Sequence, residues 1–148
     1  MRIPTIAMLG LLVFLAQGAA AQDARLIERG AYLTNGIVAC GNCHAQRDDK
    51  GRGLADKGLS GGFVFDEEPF KAVAPNITPD PETVIGKWTE AQLVRAIREG
   101  IRPDGSLIGP PMPIEFYHRM ADDDVKAIVA YLKSLKPLPL GGTGPAKK

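Results

Sequence analysis

The chemistry-bearing residues of this chain are concentrated in one short stretch. The segment VACGNCHAQ, residues 38–46, holds both cysteines, Cys40 and Cys43, and one of the two histidines, His44. Three chemistries use such a set. A dithiol or disulfide of the C-x-x-C type expects a strand–helix pattern around it, and none is visible here. A structural zinc needs four ligands. Cys40, Cys43, His44 and the distant His118 would have to supply them, and the adjacency of Cys43 and His44 strains a tetrahedral arrangement. The third is C-x-x-C-H as a covalent haem attachment site. There the two thiols add to the haem vinyl groups as thioethers. Two intervening residues set the thiol spacing, and the adjacent histidine is carried over the ring face to bind iron. Gly41 and Asn42 are small enough for the turn to lie against the ring edge. This reading also accounts for the absence of any other cysteine, since one haem c consumes both.

The N-terminus supports it. Arg2 precedes an apolar run from Ile6 to Ala16 and then the small-residue stretch QGAAAQ. That is the pattern of a secretory signal, with cleavage expected before Gln22. The run is shorter than the roughly 20 residues of a membrane span. Covalent haem attachment of this kind takes place outside the cytoplasm, so the mature chain is expected in the periplasm. Residues 1–21 are thus expected to be the signal peptide, 22–136 a single haem domain, and 137–148 a flexible tail rich in proline and glycine. With 18 Lys and Arg against 17 Asp and Glu, and no basic run, nothing points to nucleic acid.

A haem iron also needs a ligand, or a vacancy, on its other face. Met112 lies in GPPMPIEF, flanked by Pro110, Pro111 and Pro113, which predict a stiff extended loop able to hold a thioether in place. Met120 has a local role. With Ala121 as N-cap it is placed to staple against Val125 of the helix that follows. His118 stands beside Arg119 in a polar turn. Met112 therefore ranks first among the three.

Helical periodicity supplies the frame. The stretch DARLIERGAYLTNG predicts a helix with Leu26, Gly30 and Leu33 on one face. In WTEAQLVRAIREG, Thr89 and Gln92 form a capping box, Trp88 and Leu93 a staple, and Gly100 the stop. Asp122 to Leu135 predicts a last helix, with three aspartates at its positive end. Between the motif and Trp88, residues 47–87 show no helical period and read as a long functional loop that wraps the cofactor.

In this order the chain resembles the class I c-type cytochromes over nearly its whole mature length. NITPDPET, IGKWTEAQLVRAIREGI and PPMP are similar to the haem domains that accompany periplasmic alcohol, aldehyde and sugar-acid dehydrogenases. The chain departs from the resemblance in having a single haem motif, and in carrying Val84 where such loops often have glycine. The resemblance implies an all-α fold of three to five helices around a covalent haem. The first and last helices would cross at Gly30 and Tyr131 or Leu132. It implies His44 and Met112 as axial iron ligands, one haem c, and Phe116 and Tyr117 lining the pocket. Asn76, Ile77 and Thr78 would lie near a propionate or the haem edge, beside the plainer reading of an Asn–Thr turn before Pro79. Trp88 would donate to a propionate, beside its staple role. The expected function is a periplasmic monohaem electron carrier, not an enzyme, working between a dehydrogenase donor and a cytochrome or oxidase acceptor. The alternative is a haem c protein with an open distal site, a gas sensor or peroxidase-like. His44 Nδ1 is expected to donate to a carbonyl within residues 58–62.

Overall fold

The computed structural model describes residues 20–48, 50–54 and 57–141. The expected signal segment therefore lies outside the described residues, except for Ala20 and Ala21, which are already helical. Helix α1 occupies residues 20–32 and runs into a π turn at Leu33–Ile37, where the amide of Val38 reaches back to the carbonyl of Leu33. The motif forms α2, Gly41–His44. After the long loop come α3, Glu90–Glu99; the short α4, Ile114–Tyr117; and α5, Asp122–Ser134.

The caps form where the sequence places them. Thr89 accepts from the amide of Gln92, the Gln92 side chain accepts from the amide of Thr89, and Gly100 ends α3 in the left-handed conformation at φ 67°. Ala121 is the N-cap of α5, and Met120 packs against the core as a partly buried side chain. The core joins Leu33 of the π turn, Leu59 and Ile85 of the loop, Leu93 of α3, and Ala127, Ile128, Val129 and Leu132 of α5. Gly30 lets α1 lie on α5. A Cβ built there would stand 1.9 Å from the carbonyl oxygen of Ala127 and 2.7 Å from Cβ of Tyr131, so no side chain fits. Arg29–Asp124, 2.9 Å, and Asn35 donating to the Tyr131 hydroxyl, 3.1 Å, flank this contact.

The all-α expectation needs one correction. Within the loop, β1, Val64–Glu67, pairs antiparallel with β2, Phe70–Val73, in the register Val64 with Val73 and Glu67 with Phe70. β-Prone Phe and Val residues either side of Glu68–Pro69 favour a hairpin. Two strands of four residues are marginal alone. This pair is held through Phe63, whose ring meets Phe65 edge-on at 4.7 Å and carries the Arg47 guanidinium at 4.9 Å. Beyond α5 the chain stays attached: Leu138 and Gly141 are hydrogen-bonded into the loop. Residues 142–148 lie outside the described residues. Among the described residues no helix is long and apolar enough to cross a membrane.

Candidate haem site

Cys40 and Cys43 are both free thiols at the two ends of one turn, the first as the N-cap of α2 and the second inside it. The entry to the turn is strained. Ala39 sits at φ 53°, a region that residues with a Cβ seldom occupy and that clusters at functional sites. The amide of Cys40 bonds the carbonyl of Thr34, and the amide of His44 bonds the carbonyl of Cys40. The π turn thereby hands the chain from α1 directly into the motif. Arg47 donates to the carbonyl of Asn42 and, at 2.8 Å, to that of Gly51, clamping the turn from outside.

His44 is fixed at both its backbone and its ring. Its carbonyl accepts from the amide of Gly61 at 2.8 Å, and its Nδ1 lies 2.8 Å from the carbonyl oxygen of Pro75. A carbonyl only accepts, so the proton is on Nδ1 and the lone pair of the neutral ring is on Nε2. Burial holds the imidazole below its ordinary pKa and so favours the neutral form, against the opposing pull of the Pro75 bond. The expected acceptor within residues 58–62 is thus replaced by Pro75. Gly61 comes close because it has no side chain: a Cβ there would stand 2.4 Å from the carbonyl carbon of Pro75. Its part is to approach and to donate to the His44 carbonyl, which leaves its own carbonyl out of the ring contact.

The thiols lack the lowered pKa that activates a redox dithiol. Burial pushes Cys40 up to about 11, with the neighbouring Cys43 adding to the rise and backbone hydrogen bonding opposing it. Cys43 is raised by burial too, with Arg47 opposing. Thioredoxin-type cysteines are instead activated by a lowered pKa. Nor, among the described residues, does any group of three or more Cys, His, Asp or Glu side chains converge as a metal-ion site, so the zinc reading finds no ligand set.

The other expected site residues fall into four groups. Met112 is half-buried and its carbonyl accepts from the amide of Ile114, which starts α4. At the far end of α4 the Tyr117 hydroxyl is pushed up to about 12, first by burial and then by the nearby Cys40 and Cys43. Tyr117, at the end of the segment that begins with Met112, therefore lies near the thiols. His118 and Phe116 are exposed, Phe116 by 65%. Asn76 and Thr78 are buried, at 1% exposure each, and bonded to one another and to Leu138. Their polar atoms serve a clasp that sequence reasoning did not anticipate. Ile77 and Trp88 are partly buried against the core, and the carbonyl of Trp88 accepts from Lys133 at 2.6 Å.

Two thiols and a Nε2 lone pair on one turn, with the histidine ring already held by a carbonyl, fit the donor set of a thioether-bound haem c. The comparisons agree. Residues 27–136 match the family described as cytochrome c. The alcohol dehydrogenase (quinone) cytochrome c subunit of Gluconobacter oxydans (strain 621H) is 34% identical over 142 residues, 94% of this chain and 28% of that protein. The fructose dehydrogenase cytochrome subunit of Gluconobacter japonicus is 37% identical over 114 residues, 76% of this chain and 22% of that protein. A protein named diheme cytochrome c-type from Cereibacter sphaeroides is 39% identical over 98 residues, 66% of this chain and 32% of that protein. The chain belongs to the cytochrome c family. It spans under a third of the length of each of these relatives.

Proposed function

We propose that this chain is a periplasmic monohaem electron carrier, not an enzyme, that takes electrons from a dehydrogenase and passes them singly to a respiratory acceptor. The observation that carries the reading is the motif turn: Cys40 and Cys43 on α2, with His44 held at Nδ1 by Pro75 and its Nε2 available. Cys40 and Cys43 would anchor the haem as thioethers, and His44 and Met112 would ligate its iron. Two cysteines in this sequence suffice for one such attachment. When bound, the haem supplies reversible one-electron chemistry.

The chain's own residues define the conditions for it. Burial keeps the His44 ring neutral, and the Pro75 carbonyl orients it. Pro110, Pro111 and Pro113 restrict the backbone around Met112, and Tyr117, at the end of the α4 that follows, lies near the thiols, which supports that placement. The close approach of α1 to α5 at Gly30 supports the reading that they are the crossing pair of the class I fold. Ile77 and Trp88 would border the haem edge; the hydrogen bonds of Asn76 and Thr78 argue for structural duty there instead. A dehydrogenase as donor follows from the relatives, several of which are named as cytochrome subunits of dehydrogenases. The sequence pattern of residues 1–21 supports export.

The test is an optical spectrum of the purified protein with and without Met112→Ala. A low-spin reduced spectrum, and an oxidised sulfur-to-iron charge-transfer band that Met112→Ala abolishes, are expected. A high-spin spectrum in the unaltered protein would favour an open distal site.

A further inference from the structure

The residues next to the carbonyl that holds His44 are themselves held by the segment that follows α5. Asn76, directly after Pro75, donates from Nδ2 to the carbonyl of Leu138 at 2.6 Å. The amide of Leu138 donates to Thr78 Oγ1 at 3.1 Å, and that hydroxyl lies 2.8 Å from Asn76 Oδ1, to which it donates. The amide of Thr78 also donates to Asn76 Oδ1, at 2.8 Å. Further along, the amide of Gly141 donates to the carbonyl of Ser60 at 2.8 Å. There is no room for a side chain at that point: a Cβ on Gly141 would stand 2.2 Å from the carbonyl oxygen of Gly61 and 2.6 Å from Cγ of Gln46. Residues 138–141 therefore touch both walls around His44. One wall is Pro75 with Asn76 and Thr78; the other is Ser60 and Gly61, whose amide bonds the His44 carbonyl.

We infer that residues 138–141 are a strap that positions the axial histidine, with Asn76 and Thr78 as its buckle. The inference rests on His44 being an iron ligand, as proposed above. Asn76 and Thr78 are buried, so their bonds to Leu138 are shielded from competing water. The strength of the Nδ1–H···O bond sets how much electron density the imidazole gives to iron, and groups at this remove from a metal tune it through such bonds. Releasing the strap frees the peptide of Pro75 to move, weakens that bond, and leaves the imidazole a poorer donor. Oxidised iron then loses more stabilisation than reduced iron, so the reduction potential rises.

The experiment compares the haem-loaded full chain with a chain ending at Pro137, and with Thr78→Val, which removes the hydroxyl in a nearly unchanged shape. Reduction potential is read by spectroelectrochemistry. Solvent exchange of the His44 Nδ1 proton is read by NMR in the reduced, diamagnetic state. Thr89→Ala, which weakens the α3 cap far from the strap, serves as the stability control. Expected are a potential raised in both strap variants and Nδ1 exchange about tenfold faster, the factor matching one ordinary hydrogen bond. The control should melt earlier with its potential unmoved. Strap variants that carry covalent haem and melt earlier, but keep the potential and exchange rate of the full chain, overturn the inference. Should the shortened chain fail to fold, Thr78→Val decides alone. Protein without covalent haem would instead overturn the ligation reading on which this one rests.

Discussion

Gly30→Ala isolates the contact between α1 and α5. The new methyl would start 1.9 Å from the carbonyl oxygen of Ala127 and 2.6 Å from its carbonyl carbon. These are backbone atoms in the middle of a helix, so no rotamer change relieves the clash. The helices must separate by about 1.5 Å to bring the closest contact to an ordinary 3.4 Å. Overpacking of this kind costs ~1–3 kcal/mol. The Arg29–Asp124 pair, with side chains 50% and 29% exposed, spans the same contact and would add only a few tenths on the scale of ~0.2–1 kcal/mol for surface pairs. Replacing glycine by alanine within a helix returns ~0.5–1 kcal/mol. The net is a loss of about 1.5 kcal/mol, which for a domain of this size lowers the melting temperature by roughly 5–9 °C. Guanidinium unfolding of the haem-loaded protein, followed by far-UV circular dichroism, is the assay. An unchanged or higher midpoint would refute the close approach, because alanine's helix propensity would then act unopposed.

Other changes probe the site and its frame. Thr89→Ala removes one half of the capping box and should lower stability by ~0.5–2 kcal/mol, read from the same unfolding curve. Gly61→Ala places a Cβ 2.4 Å from the Pro75 carbonyl carbon at a backbone φ of 71°, and should sharply reduce the yield of haem-loaded protein; undiminished yield would contradict the role given to that approach. Met112→Ala should lower the potential and open the iron to added ligands, whereas Met120→Ala should cost ~1–3 kcal/mol of stability and leave the charge-transfer band in place. In chain produced without haem, Cys40 should alkylate more slowly at pH 8 than a free cysteine and speed up as the pH approaches about 11, because burial disfavours its thiolate below that range. A rate equal to that of the urea-unfolded chain would show that the turn is not buried.

Features set by nearby residues were legible in the sequence. The capping box of Thr89 and Gln92, the stop at Gly100 and the start of α5 after Ala121 each depend on neighbours within a few positions. Gly30 was legible through its place on an apolar face and through the resemblance. What escaped depends on contacts between distant segments. His44 meets Pro75, and Asn76 meets Leu138 across 62 positions, and no local pattern names such partners. The hairpin left a signal, β-prone residues either side of Glu68–Pro69, that was obscured by the glycines and prolines around it. The π turn and the strained Ala39 left no signal in residue type at all. Both adjoin the motif, where local preference gives way to the demands of the site.

Whether Cys40 and Cys43 hold the haem decides everything built on the motif turn. Mass spectrometry of the denatured protein tests it most directly, because thioethers survive denaturation whereas ligation alone does not. One haem retained per chain, on a peptide containing residues 40–44, is the expected result. A bare polypeptide mass with two alkylatable thiols would contradict it.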